Sequence, residues 1–71
     1  MLIKCQYMKD GQPFGKSYTF ESFHTVEVGD IVYIDQKTKG VVTDINIPES
    51  EVATFRDRIK RIVGKAMKQE E

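Results

Sequence analysis

The sequence predicts a mainly β fold: a small barrel or sandwich of four to five short antiparallel strands, with one helix in the C-terminal half. Three observations predict it. Apolar and polar residues alternate with period two in several short runs before Pro48. Turn-forming residues separate those runs at close intervals. After Pro48 the apolar spacing changes to three and four, which is the helical period.

The first strand is read at residues 1–9, where Ile3, Cys5 and Tyr7 share one face and Lys4 and Gln6 the other. Asp10-Gly11 and Gln12-Pro13-Phe14-Gly15 form a cluster of turn residues, read as the loop of a hairpin. The second strand is expected over 16–23, with Tyr18 and Phe20 on one face and Ser17, Thr19 and Glu21 on the other. Gly29-Asp30 marks a tight turn into a third strand, Ile31 to Asp35, where Val32 and Ile34 point the same way. A polar loop ends at Gly40, read as the point where the chain reverses, and a fourth strand runs from Val41 to Ile47.

Pro48, with Glu49 and Glu51 in the first turn, reads as a helix start. Val52, Phe55, Ile59, Ile62 and Ala66 form an amphipathic stripe, and Gly64 is a stop signal. The helix is placed at about 49–58 if residues 59–67 form a closing strand, or to 63 if they do not. Only in the longer helix do Arg56, Lys60 and Arg61 share an outer stripe. The domain spans 1–68, and residues 69–71 are expected to fray.

A chain of 71 residues makes one small domain, which buries only about 60% of its unfolded surface. Cys5 is alone, so no intrachain disulfide is available, and a reducing compartment is expected. His24 is the only histidine, which leaves a structural zinc short of ligands; no metal or other cofactor is expected. No apolar run approaches the roughly 18 residues of a membrane span. No signal-peptide core opens the chain, so a cytoplasmic location without membrane contact is the expectation.

Eleven bases balance eleven acids, which argues against a strongly basic nucleic-acid-binding domain. The balance hides an asymmetry. Residues 20–51 carry seven acids against Lys37 and Lys39, and residues 56–68 carry six bases (Arg56, Arg58, Lys60, Arg61, Lys65, Lys68) against Asp57. Such runs are most often solvated faces, or they pair with each other across a fold. The sharper alternative is a basic strip that meets phosphates or an acidic partner.

The run Val-Glu-Val-Gly-Asp-Ile-Val-Tyr-Ile-Asp at 26–35, followed by Gly-Val-Val-Thr-Asp-Ile at 40–45, resembles a pattern of SH3-like barrels. That pattern, G-D-x-V-x-V, loop, G-x-V-x-x-I, is seen in KOW-type domains, in the N-terminal domain of primosomal helicases and in small barrels of phages and mobile elements. The element order also looks like that of small proteins from Firmicutes phages and integrative elements. The resemblance covers about a third of the chain. It implies an SH3-like fold with a short helix before a closing strand, and it says almost nothing about function.

No catalytic constellation is legible, and an enzyme is not expected. Cys5 and His24 have no spacing that joins them, and a cysteine in an alternating strand is usually a small core residue. Asp30 reads as a turn acid beside Gly29, while Asp35 and Asp44 are placed to face each other across the third and fourth strands. The glycines do not form a phosphate-cradling loop, and no small-molecule substrate is evident.

Seven aromatic rings exceed what so small a core can hold. Phe20 and Phe55 are assigned to the core; Phe14, Tyr18 and Tyr33 are the candidates for exposure, flanked by Lys16, Lys37 and Lys39 in loops. With Arg56, Lys60, Arg61 and Lys65 these make the candidate binding surface. Two roles compete: a non-enzymatic protein-interaction or accessory module, self-association included, or a nucleic-acid-binding barrel that uses the basic segment 56–68.

Overall fold

In the computed structural model, which describes residues 1–66, Leu2–Lys9 (β1) and Gln12–Glu21 (β2) form one long antiparallel hairpin. Lys68 and the tail 69–71 lie outside the described residues. The hairpin turn is Asp10-Gly11 alone, with positive φ of 54° and 77° at its two residues, as a type I′ turn requires. Residues 12–15 therefore belong to β2 and not to a loop. Pro13 is tolerated there because Lys9 and Gln12 form the hydrogen-bonded pair that closes the turn, so the next pair, Met8 and Pro13, makes no ladder bond and Pro13 faces the free edge of β2. Gly15, at φ 79°, sits in a bulge where Tyr7 alone opposes residues 14–16.

Ile31–Tyr33 (β3) and Lys39–Ile45 (β4) make the second antiparallel pair, and β4 lies against β1. Lys60–Arg61 (β5) pairs with β2, in parallel, and Gly64–Lys65 (β6) pairs with β3. The sheet thus has six strands in the order β5-β2-β1-β4-β3-β6, one more than the largest number expected. The extra strand arises because the closing segment is split. Ile62 donates its N–H to Glu21 O at 2.9 Å, and Val63 donates to Tyr33 O at 2.8 Å. The two edges of the curled sheet are therefore held by one short stretch of chain.

The inner face carries the core: Ile3, Cys5, Phe20, Val26, Val32, Ile34, Val42 and Ile62. Ile3 lies opposite Phe20 and Cys5 opposite Tyr18, so these side chains share one face. Ile34 follows the end of β3, in the turn, yet keeps the inward direction that period two gives it and is buried. β4 starts and ends two residues earlier than expected, and Gly40 lies inside it. Gly40 is needed for space and not for reversal: a Cβ there would stand 2.6 Å from Ile34 Cδ1.

Of the two alternatives the shorter is found, helical turns within 49–58 followed by closing strand segments, but the turns are two 3-10 segments, Glu49–Glu51 and Ala53–Arg58, the second interrupted by non-helical dihedrals at Phe55. Neither has a side-chain cap, and Pro48 stands in extended backbone at the N-cap and not in the first turn. Of the stripe, Val52 and Ile62 are buried, but Phe55 is 37% exposed and does not fill the core. The periodicity misleads because Val52 anchors a connection and Ile62 anchors a closing strand. With no continuous helix, Arg56, Lys60 and Arg61 do not form a helical stripe.

Candidate functional site

From Lys9 to Tyr18 every residue of the hairpin is exposed, so its outer half forms an arm. Phe14 and Tyr18, 59% and 50% exposed, stand on this arm. Phe14 is on strand β2 and not at the loop tip, as is Lys16. Tyr18 packs edge-on against Tyr7 (centroids 5.7 Å apart), which in turn packs edge-on against Phe20 (6.2 Å), so the aromatic row continues the core face outward. Lys9 Nζ lies 5.1 Å from the centre of the Phe14 ring.

The β3–β4 turn comes to the same end of the molecule. Tyr7 opposes Gly40, and Tyr33 opposes Lys39, whose Nζ is 5.5 Å from the tyrosine ring centre. A depression of 360 Å³ is lined by Met8, Gly11, Ile31, Lys37 and Lys39. It adjoins a larger one of 690 Å³, which shares Ile31 and Lys39 and continues past Gly29 and Asp30 to Lys65 and Ala66. Two groups thus share the arm end on opposite faces of the sheet: Tyr18 continues the core face and Phe14 lies against Lys9, with Lys16 on the same strand, while Tyr33 and Lys39 face the other way, where Lys37 and Lys39 meet Met8 and Gly11.

Arg56, Lys60 and Arg61 are not brought to that end. Lys60 and Arg61 pair with Phe20 and Glu21 at the opposite end of β2. Arg56 bonds Glu49 (3.0 Å) and contacts Glu21 (3.4 Å), and Lys65 contacts Asp30 (3.4 Å). Each of these pairs joins the basic segment to the acidic one. Glu49 above all holds the Arg56 guanidinium in its charged form and raises its pKa. Arg61 Cζ lies 4.2 Å from the centre of the Phe23 ring.

Phe23 is the functional-surface candidate that sequence reading passed over, and at 70% exposed it is the most open ring of the molecule. The signal was its parity with Ser22. Phe20 and Ser22 point inward, so Phe23 must point out. Ser22 is buried and satisfied, its Oγ donating to His24 O at 2.8 Å and accepting from His24 N at 3.0 Å. Met8 and Ile31 were also missed, since only the register brings them beside Lys37 and Lys39, and so was Lys9, placed by its contact with the Phe14 ring.

The groups considered for chemistry stay apart. Cys5 lies in the core, where desolvation pushes its thiol pKa up to about 11, while His24 is exposed in the connection after β2. Asp30 Oδ2 accepts from Glu27 N at 2.9 Å, the turn role expected of it. Asp35 Oδ1 accepts from Lys37 N at 2.9 Å, and this bond, with one from Thr38, holds its carboxyl below the ordinary carboxylate value. Asp44 opposes Lys4 on β1 and bonds Ile45 N, so Asp35 and Asp44 do not face one another. Among the described residues, no three His, Cys, Asp or Glu side chains gather as a metal site. Among them, too, no helix is long and apolar enough to cross a membrane. No family model, curated protein or solved structure matches the chain.

Proposed function

We propose that the domain is a non-enzymatic protein-interaction module on an SH3-like small barrel, with the arm end as its contact surface. One observation carries the functional reading. The exposed rings Phe14 and Tyr18 stand on the arm with Lys9 and Lys16, and Lys37 and Lys39 lie at the same end on the opposite face, while two bases of the segment 56–65 are engaged by the domain's own acids. Aromatic anchors on a rigid hairpin supply contact area with little side-chain entropy to lose. The barrel reading is supported by the short β3–β4 unit, the 3-10 segments before β5, and the closing stretch on both edges.

The arm is unsuited to pairing edge-to-edge with a second copy. Pro13 removes a donor, Gly15 bulges the strand, and Lys16 adds charge to the free edge of β2. An edge-to-edge second copy is thereby disfavoured, and a different protein is the proposed partner. Affinity capture from cells of the source organism tests this, comparing the native domain with Phe14→Ser/Tyr18→Ser. A defined protein retained by the native domain, kept by Phe23→Ser, and lost from the double variant is the expected result. Equal retention by all three, or retention of nothing, overturns the reading.

A second reading, nucleic-acid binding, is favoured by a different observation. Phe23 carries Arg61 on one face and is otherwise open, and Lys60 precedes it on β5, an arrangement suited to base stacking with nearby phosphate contacts. Gel shifts at low salt with single- and double-stranded DNA and RNA decide it, since such binding falls steeply as salt rises. No shift at low salt removes this reading.

A further inference from the structure

The depression beside the arm has a charge pattern that narrows the partner's chemistry. Its lining of Met8, Gly11, Ile31, Lys37 and Lys39 contains two cations and no acid. Among the described residues neither Lys37 nor Lys39 is in an ion pair; Lys39 lies over the Tyr33 ring. Of the two acids that flank the lining in sequence, Asp10 is exposed in the hairpin turn beside Gly11, and Asp35 is turned to its own loop, where it accepts from Lys37 N. In the adjoining depression, Asp30 already contacts Lys65. Met8 and Ile31 provide the apolar contribution, both half-buried.

We infer that this trough binds an extended acidic–apolar segment of a protein partner. Its carboxylates meet Lys37 and Lys39, and its aliphatic side chains lie on Ile31 and Met8. The inference rests on the protein-interaction reading and names the partner's chemistry. Carboxylates favour exposed, unpaired ammonium groups because no existing ion pair must be broken, and residues two apart in an extended chain share one face, so an acid and an aliphatic residue at i and i+2 both reach the trough. The trough has no exposed ring on which a base would stack freely, since Tyr33 is half-buried beneath Lys39, and this favours peptide over nucleic acid.

The test titrates the isotope-labelled domain with a short synthetic peptide of Glu-Ser-Leu-Ser repeats, which places Glu and Leu on one face of an extended chain. The same peptide with Lys for Glu, and oligothymidylate, serve as comparisons. The Glu-Ser-Leu-Ser peptide is expected to shift the amide signals of Met8, Ile31, Lys37 and Lys39, and Lys37→Glu/Lys39→Glu to weaken its binding about tenfold or more. Both lysines are exposed, so unchanged spectral dispersion shows that the variant is folded. Unaltered affinity in the double variant, shifts confined to other surfaces, no binding, or stronger binding of oligothymidylate overturns the inference. Partner capture that depends on Phe14 and Tyr18 would still stand in those cases, so the two readings fail separately.

Discussion

Ile62 and Val63 are neighbours in the chain, yet their amides donate to opposite edges of the sheet, to Glu21 O and Tyr33 O. The side chains differ as sharply: Ile62 is buried in the core and Val63 is 57% exposed. Closure thus combines two backbone bonds with one apolar anchor. Ile62→Ala is expected to cost about 2–4 kcal/mol, the range for truncating a buried aliphatic side chain. Val63→Ala should stay within about 0.5 kcal/mol, as surface changes do. Urea unfolding of both variants measures the difference, and equal losses would mean that Ile62 does not anchor the closure.

Gly40 lies directly under Ile34, where a Cβ would be 2.6 Å from Cδ1, 3.2 Å from Cγ1 and 3.2 Å from Gln6 O. Ile34 is itself buried and cannot swing into solvent without opening the core. Gly40→Ala is therefore expected to destabilise by about 1–3 kcal/mol, the usual cost of overpacking. Ile34→Val removes the closest atom, so the double variant should lose less than the sum of the two single losses. Strict additivity in thermal unfolding would show that the two positions do not press on one another.

These two contacts show what the sequence could reveal. Alternation identified the shared faces of Ile3 with Cys5 and of Val32 with Ile34, all of which are buried, because a period-two face is a local property of the chain. Splitting of the last strand is not local: it depends on the sheet curling until both edges reach residues 60–65. Gly40 reads as a turn former in one dimension, and only the register places it beneath Ile34. The helical stripe failed for the same reason, since its spacing matched anchors that serve different elements. For the candidate surface, exposure of Phe14 and Tyr18 followed from too many rings for one small core. The approach of Lys37 and Lys39 to Met8 and Gly11 of the hairpin required the β1–β4 pairing.

Gly29 holds φ at 98°, a conformation that L side chains rarely adopt, and nothing lies within 4 Å of a Cβ built there. Backbone strain alone should set the cost of substitution. Gly29→Val is expected to destabilise by about 1–2 kcal/mol, and Gly29→Ala by nearly as much, because the Cβ that both add has open space around it. An unchanged melting temperature in both would show that the turn relaxes freely. A large gap between them would show that the Val side chain meets neighbours.

Arg56 links the acidic stretch to the basic one through Glu49 and Glu21, but its side chain is 38% exposed and the surrounding water weakens both contacts. Arg56→Ala should therefore lower the melting temperature only slightly. The loss should be larger at low ionic strength than in molar salt, where exposed charges are screened. A loss that is large and independent of salt would mean that Arg56 contributes through packing of its aliphatic stem.

Cys5 gives a pH dependence whose sign follows from its burial. Desolvation raises the folded thiol from the ordinary 9.0 to about 11, so the native state holds its proton where the unfolded chain has lost it. A raised acid pKa contributes stability that is complete below the unfolded value and is lost as pH rises toward the folded one. Between about pH 9 and about pH 11 this one group should remove up to about 1.4 kcal/mol per pH unit. Tyrosines and lysines titrate in the same window, so the diagnostic quantity is the difference from Cys5→Ala, which lacks the thiol. Denaturant unfolding at successive pH values should show the native protein losing stability faster than the variant across that window. Parallel curves would mean that the folded thiol ionises as readily as the unfolded one.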